Sequence, residues 1–291
     1  MTSQPEDTLQ RFLIENCSVR GARVQLRQSF QDIANLHTCS TTAAHVLGES
    51  IAAAALLAST IKLEGRLALQ ARGEGPLKLL VAECTNHGGV RGIIELDDSM
   101  TRDNHDMNEL LQKGYLAVTL LPDNGESYQG LVPLEGSRLQ DCLSAYFAQS
   151  EQIPTMLWLA CDGECAAGLL LQVLPDHDNN HNNNDDWQRV CLLANTLSND
   201  ELLHLPHEQL LHRLFHEDTV RMFKPTAIGF SCTCSHDRSR NALALLGRDE
   251  LQKLFAERDI VEVDCQFCRQ QYCYTEQDMR DVLGKHSNHI H

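Results

Sequence analysis

The chain has 291 residues, with 24 Lys+Arg against 40 Asp+Glu and a formal net charge of −16. That balance disfavours a broad nucleic-acid footprint, which needs Lys and Arg to neutralise phosphates, and it disfavours docking on anionic membranes. The length exceeds one typical core, so two domains with a connecting element are expected; with aromatics at 5 %, Leu, Ala, Val and Ile must fill the cores.

Thr8 to Glu15 reads as a short helix. Ser18 to Gln28 reads as a strand whose apolar members are Val19, Val24 and Leu26. Thr41 to Ile61 carries Ala43, Ala44, Val46, Leu47, Ile51, Ala54, Ala55 and Ala58 at helical spacing, the strongest helix signal in the chain, and its small residues suit close packing against a sheet. Strands are predicted over Leu67–Ala71, Leu77–Glu83 and Val90–Leu96, separated by the turn-forming runs Gly73-Glu74-Gly75-Pro76 and His87-Gly88-Gly89. Tyr115–Leu121 and Tyr128–Leu134 flank Asp123-Asn124-Gly125, a hairpin signal. A helix over Leu139–Gln149 and a hairpin of Thr155–Cys161 with Ala167–Leu174 complete the region. No βαβ rhythm repeats, so residues 1–175 are expected to form an α+β domain of largely antiparallel sheets with packed helices.

Pro175 to Asp186 reads PDHDNNHNNNDD, a composition that cannot bury a core and predicts a mobile boundary. His177 and His181 read there as solvated linker residues rather than ligands. Trp187 to Glu217 is rich in leucine, with Ser198 or Asn199 as a cap before Asp200-Glu201 and Pro206 opening a second short helix. Residues 176–229 therefore read as a linker, mobile over 176–186 and helical over 187–217. Its leucines must cover something. The ordinary reading is a packed helical subdomain; the sharper one is a detachable cover.

Residues 230–291 carry the chemistry. Cys232-x-Cys234 and Cys265-x-x-Cys268 are separated by residues 235–264, with helices predicted at Asn241–Leu246 and Asp249–Ala256 and a strand at Asp259–Val263. No basic N-terminal stretch with an apolar run and cleavage site is visible, which predicts a cytosolic chain. There, clustered cysteines signal metal binding or redox chemistry rather than structural disulfides. Two close pairs at this distance suit one four-thiolate Zn²⁺ site per chain, with iron as the alternative. A closed four-sulfur site has no water position, so hydrolysis is not expected. The tight Cys-x-Cys pair would oxidise to a strained, labile ring, which suits a site meant to open. No GxxxxGK[ST], GxSxG or HExxH motif is present.

At these residues the sequence resembles the heat-shock protein 33 family. The resemblance rests on Cys232-x-Cys234 and Cys265-x-x-Cys268 with Phe230, Ser235, Arg238 and Phe267. It extends to ENCSVRG (15–21), YQGLVPLEG (128–136), YFAQSEQIPT (146–155), AAGLLLQVLP (166–175) and LLHRLFHED (210–218). It implies a redox-regulated, ATP-independent holdase, not an enzyme, that is inactive when reduced and zinc-bound through Cys232, Cys234, Cys265 and Cys268. Oxidation to Cys232–Cys234 and Cys265–Cys268 disulfides would release zinc, unfold the C-terminal domain and disorder the linker. The active form, a homodimer, would bind unfolding client proteins and pass them to ATP-dependent foldase chaperones.

Two departures stand out. Arg269 occupies a position that is often small or polar in the family, and Cys273 is an extra cysteine that reads first as a strand residue beside the site and second as a competing ligand. Cys17, Cys39, Cys84, Cys142, Cys161, Cys165 and Cys191 read first as small core residues, and Cys161-x3-Cys165, which brackets a hairpin tip, second as a pair accessible to oxidant. His286, His289 and His291 read as a frayed polar tail. Two other functions compete. A zinc-dependent nucleic-acid-binding regulator would use Arg238, Arg240, Arg248 and Lys253; a thiol oxidoreductase would use Cys265-x-x-Cys268 alone.

Overall fold

The computed structural model describes residues 7–37, 40–62, 64–97, 107–112, 114–133, 137–148, 152–174 and 183–285. Among these, the first elements are two paired strands, β1 (Thr8–Ile14) and β2 (Val19–Leu26). β1 corrects the expected helix: every residue of it pairs antiparallel with β2. Leu9, Phe12 and Leu13 fall at helical spacing, but a strand buried on both faces carries no period-2 alternation to contradict that spacing. A short helix, α1 (Gln28–Ala34), leads to α2 (Thr41–Thr60), whose first turn is capped by Ser40 accepting from the Ala43 N–H at 3.2 Å. The expected strands follow as β3 (Gly65–Arg72), β4 (Leu77–Thr85) and β5 (Gly89–Leu96), then α3 (Met107–Leu111), β6 (Tyr115–Pro122), β7 (Tyr128–Pro133), α4 (Leu139–Tyr146), β8 (Thr155–Cys161) and β9 (Ala166–Val173).

The leucine-rich segment folds as α5 (Asn183–Ala194), α6 (Asn199–His204) and α7 (His207–Phe215). Helix begins at Asn183, inside the stretch expected to be mobile; 175–182, with His177 and His181, lie outside the described residues. Ser198 is the cap of α6, closing a reciprocal capping box with Glu201. Three short strands come next, β10 (Val220–Met222), β11 (Thr226–Ala227) and β12 (Gly229–Phe230), followed by α8 (His236–Ala244), α9 (Arg248–Glu257), β13 (Ile260–Asp264), β14 (Gln271–Thr275) and α10 (Glu276–Lys285).

The architecture is α+β. One sheet runs β10-β1-β2-β9-β8, with β11 also on β1; the second runs β12-β5-β4-β3-β6-β7. All pairings are antiparallel except that of β12 with β5. By length and composition α2 could cross a membrane, but most of it lies inside the core. It is buried on nearly all sides rather than along one stripe, because it packs against strands of both sheets. Four successive alanines, Ala52 to Ala55, let both sheets approach it.

A second apolar core occupies the other face of the first sheet. Along β9, Ala166 and Leu170 join the α2 core while Ala167, Leu169 and Leu171 face the opposite way, against Val190, Leu202, Leu203, Leu210, Leu214 and Phe215 of α5 to α7. β9 therefore reads as an unbroken apolar run because both of its faces are covered. The chain forms two compact units, Met1–Ser231 and Cys232–His291, and α5 to α7 fold within the first.

Gly21 sits under this cover for a steric reason. It pairs across strands with Phe12, whose ring lies over it; a methyl group added at Gly21 would stand 2.1 Å from Phe12 Cζ. The same ring meets Phe215 of α7, centroids 6.2 Å apart. Gly21→Ala should therefore push Phe12 against α7 and cost about 1–3 kcal/mol, the usual penalty of overpacking. Denaturant unfolding of the reduced protein checks this; an unchanged midpoint would mean that the ring moves aside freely.

Candidate metal centre

The second unit has little core of its own. Among the described residues its buried apolar side chains are Leu243, Leu251, Tyr274 and Met279. A segment of this size with so few buried groups needs a staple.

Two local structures deliver sulfur to one point. Cys232 and Cys234 lie on extended chain just before α8, whose N-terminus is capped by Ser235 accepting from the Arg238 N–H at 3.2 Å. Arg238 also donates to the Thr233 carbonyl at 2.7 Å, bracing the segment between the two cysteines. Cys265 and Cys268 lie in the turn joining β13 to β14. That turn is closed by Cys265 N–H donating to Gln270 O at 2.9 Å and Arg269 N–H donating to Cys265 O at 2.8 Å. Arg269 takes φ +59°, a left-handed conformation that favours small or polar residues and explains why an arginine is a departure here.

The four sulfurs lie within 4.8 Å of one another. Two approaches run across the motifs, Cys232 to Cys265 at 3.7 Å and Cys234 to Cys268 at 3.4 Å. A tetrahedral ion with bonds of about 2.3 Å to sulfur sets its ligands about 3.8 Å apart, so this donor set fits a soft metal ion. The electrostatics call for one as well. Burial pushes the Cys268 thiol up to about 12, and the surrounding thiols push in the same direction. Four thiolates this close are compatible only with a cation among them. Tyr272 of β14 donates to Cys234 Sγ at 3.1 Å, and that bond raises the phenol above its ordinary range. Tyr274 donates to the His236 carbonyl at 2.8 Å, tying β14 to the start of α8.

Cys273 is exposed and alternates along β14 with the inward Tyr272 and Tyr274, so it is a strand residue outside the sulfur group. Cys161 and Cys165 pack separately, as the core reading has it, and do not form a pair at the hairpin tip. Cys161 packs toward α2, its thiol against the Ala44 carbonyl, whereas Cys165 packs toward α6, its thiol against the Leu203 carbonyl. They face opposite sides of the sheet, and burial raises the two thiols to about 12 and about 11. Cys84 and Cys142 are core residues, and burial raises the Cys191 thiol to about 11. Cys17 is buried in the β1–β2 turn, where Arg189 of α5 donates to its sulfur at 3.1 Å and forks onto Asp218 at 2.7 and 3.0 Å. Burial raises the Cys17 thiol and the Arg189 charge opposes it. Cys39, His286, His289 and His291 lie outside the described residues.

The competing sites lose support. Arg240 pairs with Asp237 at 3.3 Å and Lys253 with Glu250 at 3.2 Å, which dilutes a phosphate-binding patch. Cys265 follows a strand and enters a hairpin turn, not the helix N-terminus that activates a thioredoxin-type cysteine.

A family model described as Hsp33 protein matches residues 7–275. The 33 kDa chaperonin of Ectopseudomonas mendocina is 45 % identical over 281 residues, covering 96 % of this chain and 95 % of its own length. That of Azotobacter vinelandii is 44 % identical over the same shares of both chains. The crystal structure of the 33 kDa chaperonin from Thermotoga maritima, 23 % identical, matches 97 % of this chain and 99 % of its own with a TM-score of 0.80, which shows a shared fold. With the family model matched over most of its length and relatives this similar along nearly all of it, the chain belongs to the Hsp33 chaperone family.

Proposed function

We propose that this protein is a redox-regulated, ATP-independent holdase of the cytosol, inactive while Cys232, Cys234, Cys265 and Cys268 hold one zinc ion. The observation that carries this reading is the four-sulfur group in a unit whose buried apolar side chains, among the described residues, number four. Bound zinc would keep the sulfurs as thiolates and supply folding energy that this core lacks.

Oxidation then acts on the residues themselves. Cys232 with Cys234, and Cys265 with Cys268, form disulfides, the pairing that family resemblance implies. As each S–S bond forms, its two thiolates give two electrons to one peroxide molecule, whose O–O bond breaks and which takes up two protons and leaves as two waters. The unit loses its ligand set and unfolds, and α5 to α7, joined to it through β10 to β12, are freed to leave the first sheet. Clients would bind the apolar faces so uncovered, on a homodimer, before transfer to ATP-dependent foldases. The opposite-face packing of Leu169, Leu171, Leu210 and Leu214 supports this order of events.

The test follows zinc with a chromogenic chelator during peroxide treatment and measures aggregation suppression on the same samples. One equivalent of zinc should leave as suppression rises. Full suppression by the reduced, zinc-loaded protein would overturn the reading.

A further inference from the structure

The cover is fastened to the first sheet at a site that family resemblance does not point to. Arg23 of β2 is fully buried, and among the described residues no carboxylate pairs with it. Its Nη2 instead donates to the Leu202 carbonyl at 2.9 Å and to the Leu205 carbonyl, the C-terminal end of α6, where the helix dipole presents negative charge. Gln25, also on β2, donates to the Leu203 carbonyl. Arg23 Nη1 lies 3.1 Å from His207 Nδ1, and His207 Nε2 lies 2.8 Å from Thr8 Oγ1. A guanidinium has donors only, so Nδ1 must be the acceptor. The imidazole proton therefore sits on Nε2 and is donated to Thr8.

We propose that Arg23 and His207 form a proton-operated latch: α7 is held to the sheet only while His207 is neutral, so mild acid loosens the cover without oxidation of any thiol. This rests on the reading of α5 to α7 as the cover. Protonation of Nδ1 would set an N–H against the Arg23 N–H, and a second positive charge against the first, in a buried site. Arg23 cannot turn away while its other nitrogen holds α6.

The surrounding charges do not relieve this. Just before β1, the Asp7 carboxylate is occupied by the backbone N–H groups of Arg27, Gln28 and Ser29 and by the Ser29 hydroxyl. By the β8–β9 turn, the Cys165 thiol is pushed up to about 11 by burial and so stays neutral. On α7 itself, Glu208 is exposed. His204 of α6 lies 3.5 Å from Asp162 and 3.7 Å from Asp200, exposed contacts that solvent screens.

Burial first, and the Arg23 charge second, push His207 down to about 4, against an ordinary value of about 6.5. The released cover therefore binds the proton more tightly than the packed one. The latch is at full strength above pH 6.5 and weakens as pH falls from there toward 4, its opening equilibrium rising about tenfold between pH 7.5 and 5.5.

Amide exchange of residues 199–215, corrected for intrinsic rate, tests this on the reduced, zinc-loaded full chain, with zinc followed in the same samples. The wild type should open about tenfold more at pH 5.5 than at 7.5 with its zinc retained. His207→Gln, whose amide offers the same acceptor and donor without titrating, should lose that dependence. Equal pH dependence in the two proteins overturns the latch and assigns the effect of acid to other groups. If the variant lacks protection already at pH 7.5, ring NMR of the wild type decides. A His207 imidazole neutral down to pH 5 supports the latch, and one titrating near 6.5 in the packed protein overturns it. Light scattering of an unfolding client separates the two readings: opening without capture sinks the cover as the gate of activity and leaves the latch standing.

Discussion

Replacing Cys232 and Cys265 together by serine should leave the reduced protein without zinc and without a folded second unit. The expected effect is large, because a structural four-ligand zinc site contributes about 10–16 kcal/mol to folding at neutral pH. Leu243, Leu251, Tyr274 and Met279 cannot replace that. Metal analysis should find no zinc, and hydrogen exchange should show residues 232–285 unprotected. The α2 core of the first unit should keep its protection, since it contains none of the four cysteines and none of the residues of α5 to α7. Zinc retained at full stoichiometry by the double variant would remove these residues from the site, and equal loss of protection in both units would refute their independence.

The second large effect belongs to the cover. Leu210 and Leu214 are buried at 0 % and 2 % exposure against the outer face of the first sheet. Leu210→Gln with Leu214→Gln keeps helix propensity but removes buried apolar volume and sets amides against Leu169 and Leu171, at a cost of about 3 kcal/mol or more for each. The cover should then open under reducing conditions, and an unfolding client should be captured without oxidant and at lower temperature. Light scattering checks this. A double variant that folds and captures no more client than the wild type would place the client surface elsewhere.

The metal centre is legible in the sequence because its ligands come as two close pairs whose spacing is fixed along the chain. The strands from β3 to β9 are legible because turn residues separate them. What escapes is whatever depends on distant partners. β1 shows a helical spacing that only its pairing with β2 overrides. β10, β11 and β12 are two or three residues each and are held by backbone bonds, which leave no side-chain pattern. Arg23 and His207 meet across 184 positions, and an arginine within a strand reads as solvent-facing until the helix end that covers it is known. Cys161 and Cys165 mislead in the opposite way: closeness in sequence across a hairpin tip suggests one exposed pair, while the sheet sends them to opposite faces.

The short strands between α7 and Cys232 bear on how a signal travels. After α7 the chain is sewn to β1 through β10 and β11, with Phe223 N–H donating to Arg11 O and Ile228 N–H to Asp7 O, both at 3.0 Å. It then crosses to the second sheet, where β12 lies along β5 and Ser231 N–H donates to Val90 O at 2.9 Å. On the proposed reading, collapse beginning at the sulfurs would reach α7 only through these stitches, β12 lying nearest the sulfurs along the chain and β10 nearest α7. Each is short and lies along a sheet edge, where thermal fraying is cheap. On the proposed redox reading, loss of the sulfur site would free one end of the seam, and warming would help to unpick the rest before the leucines beyond it are released.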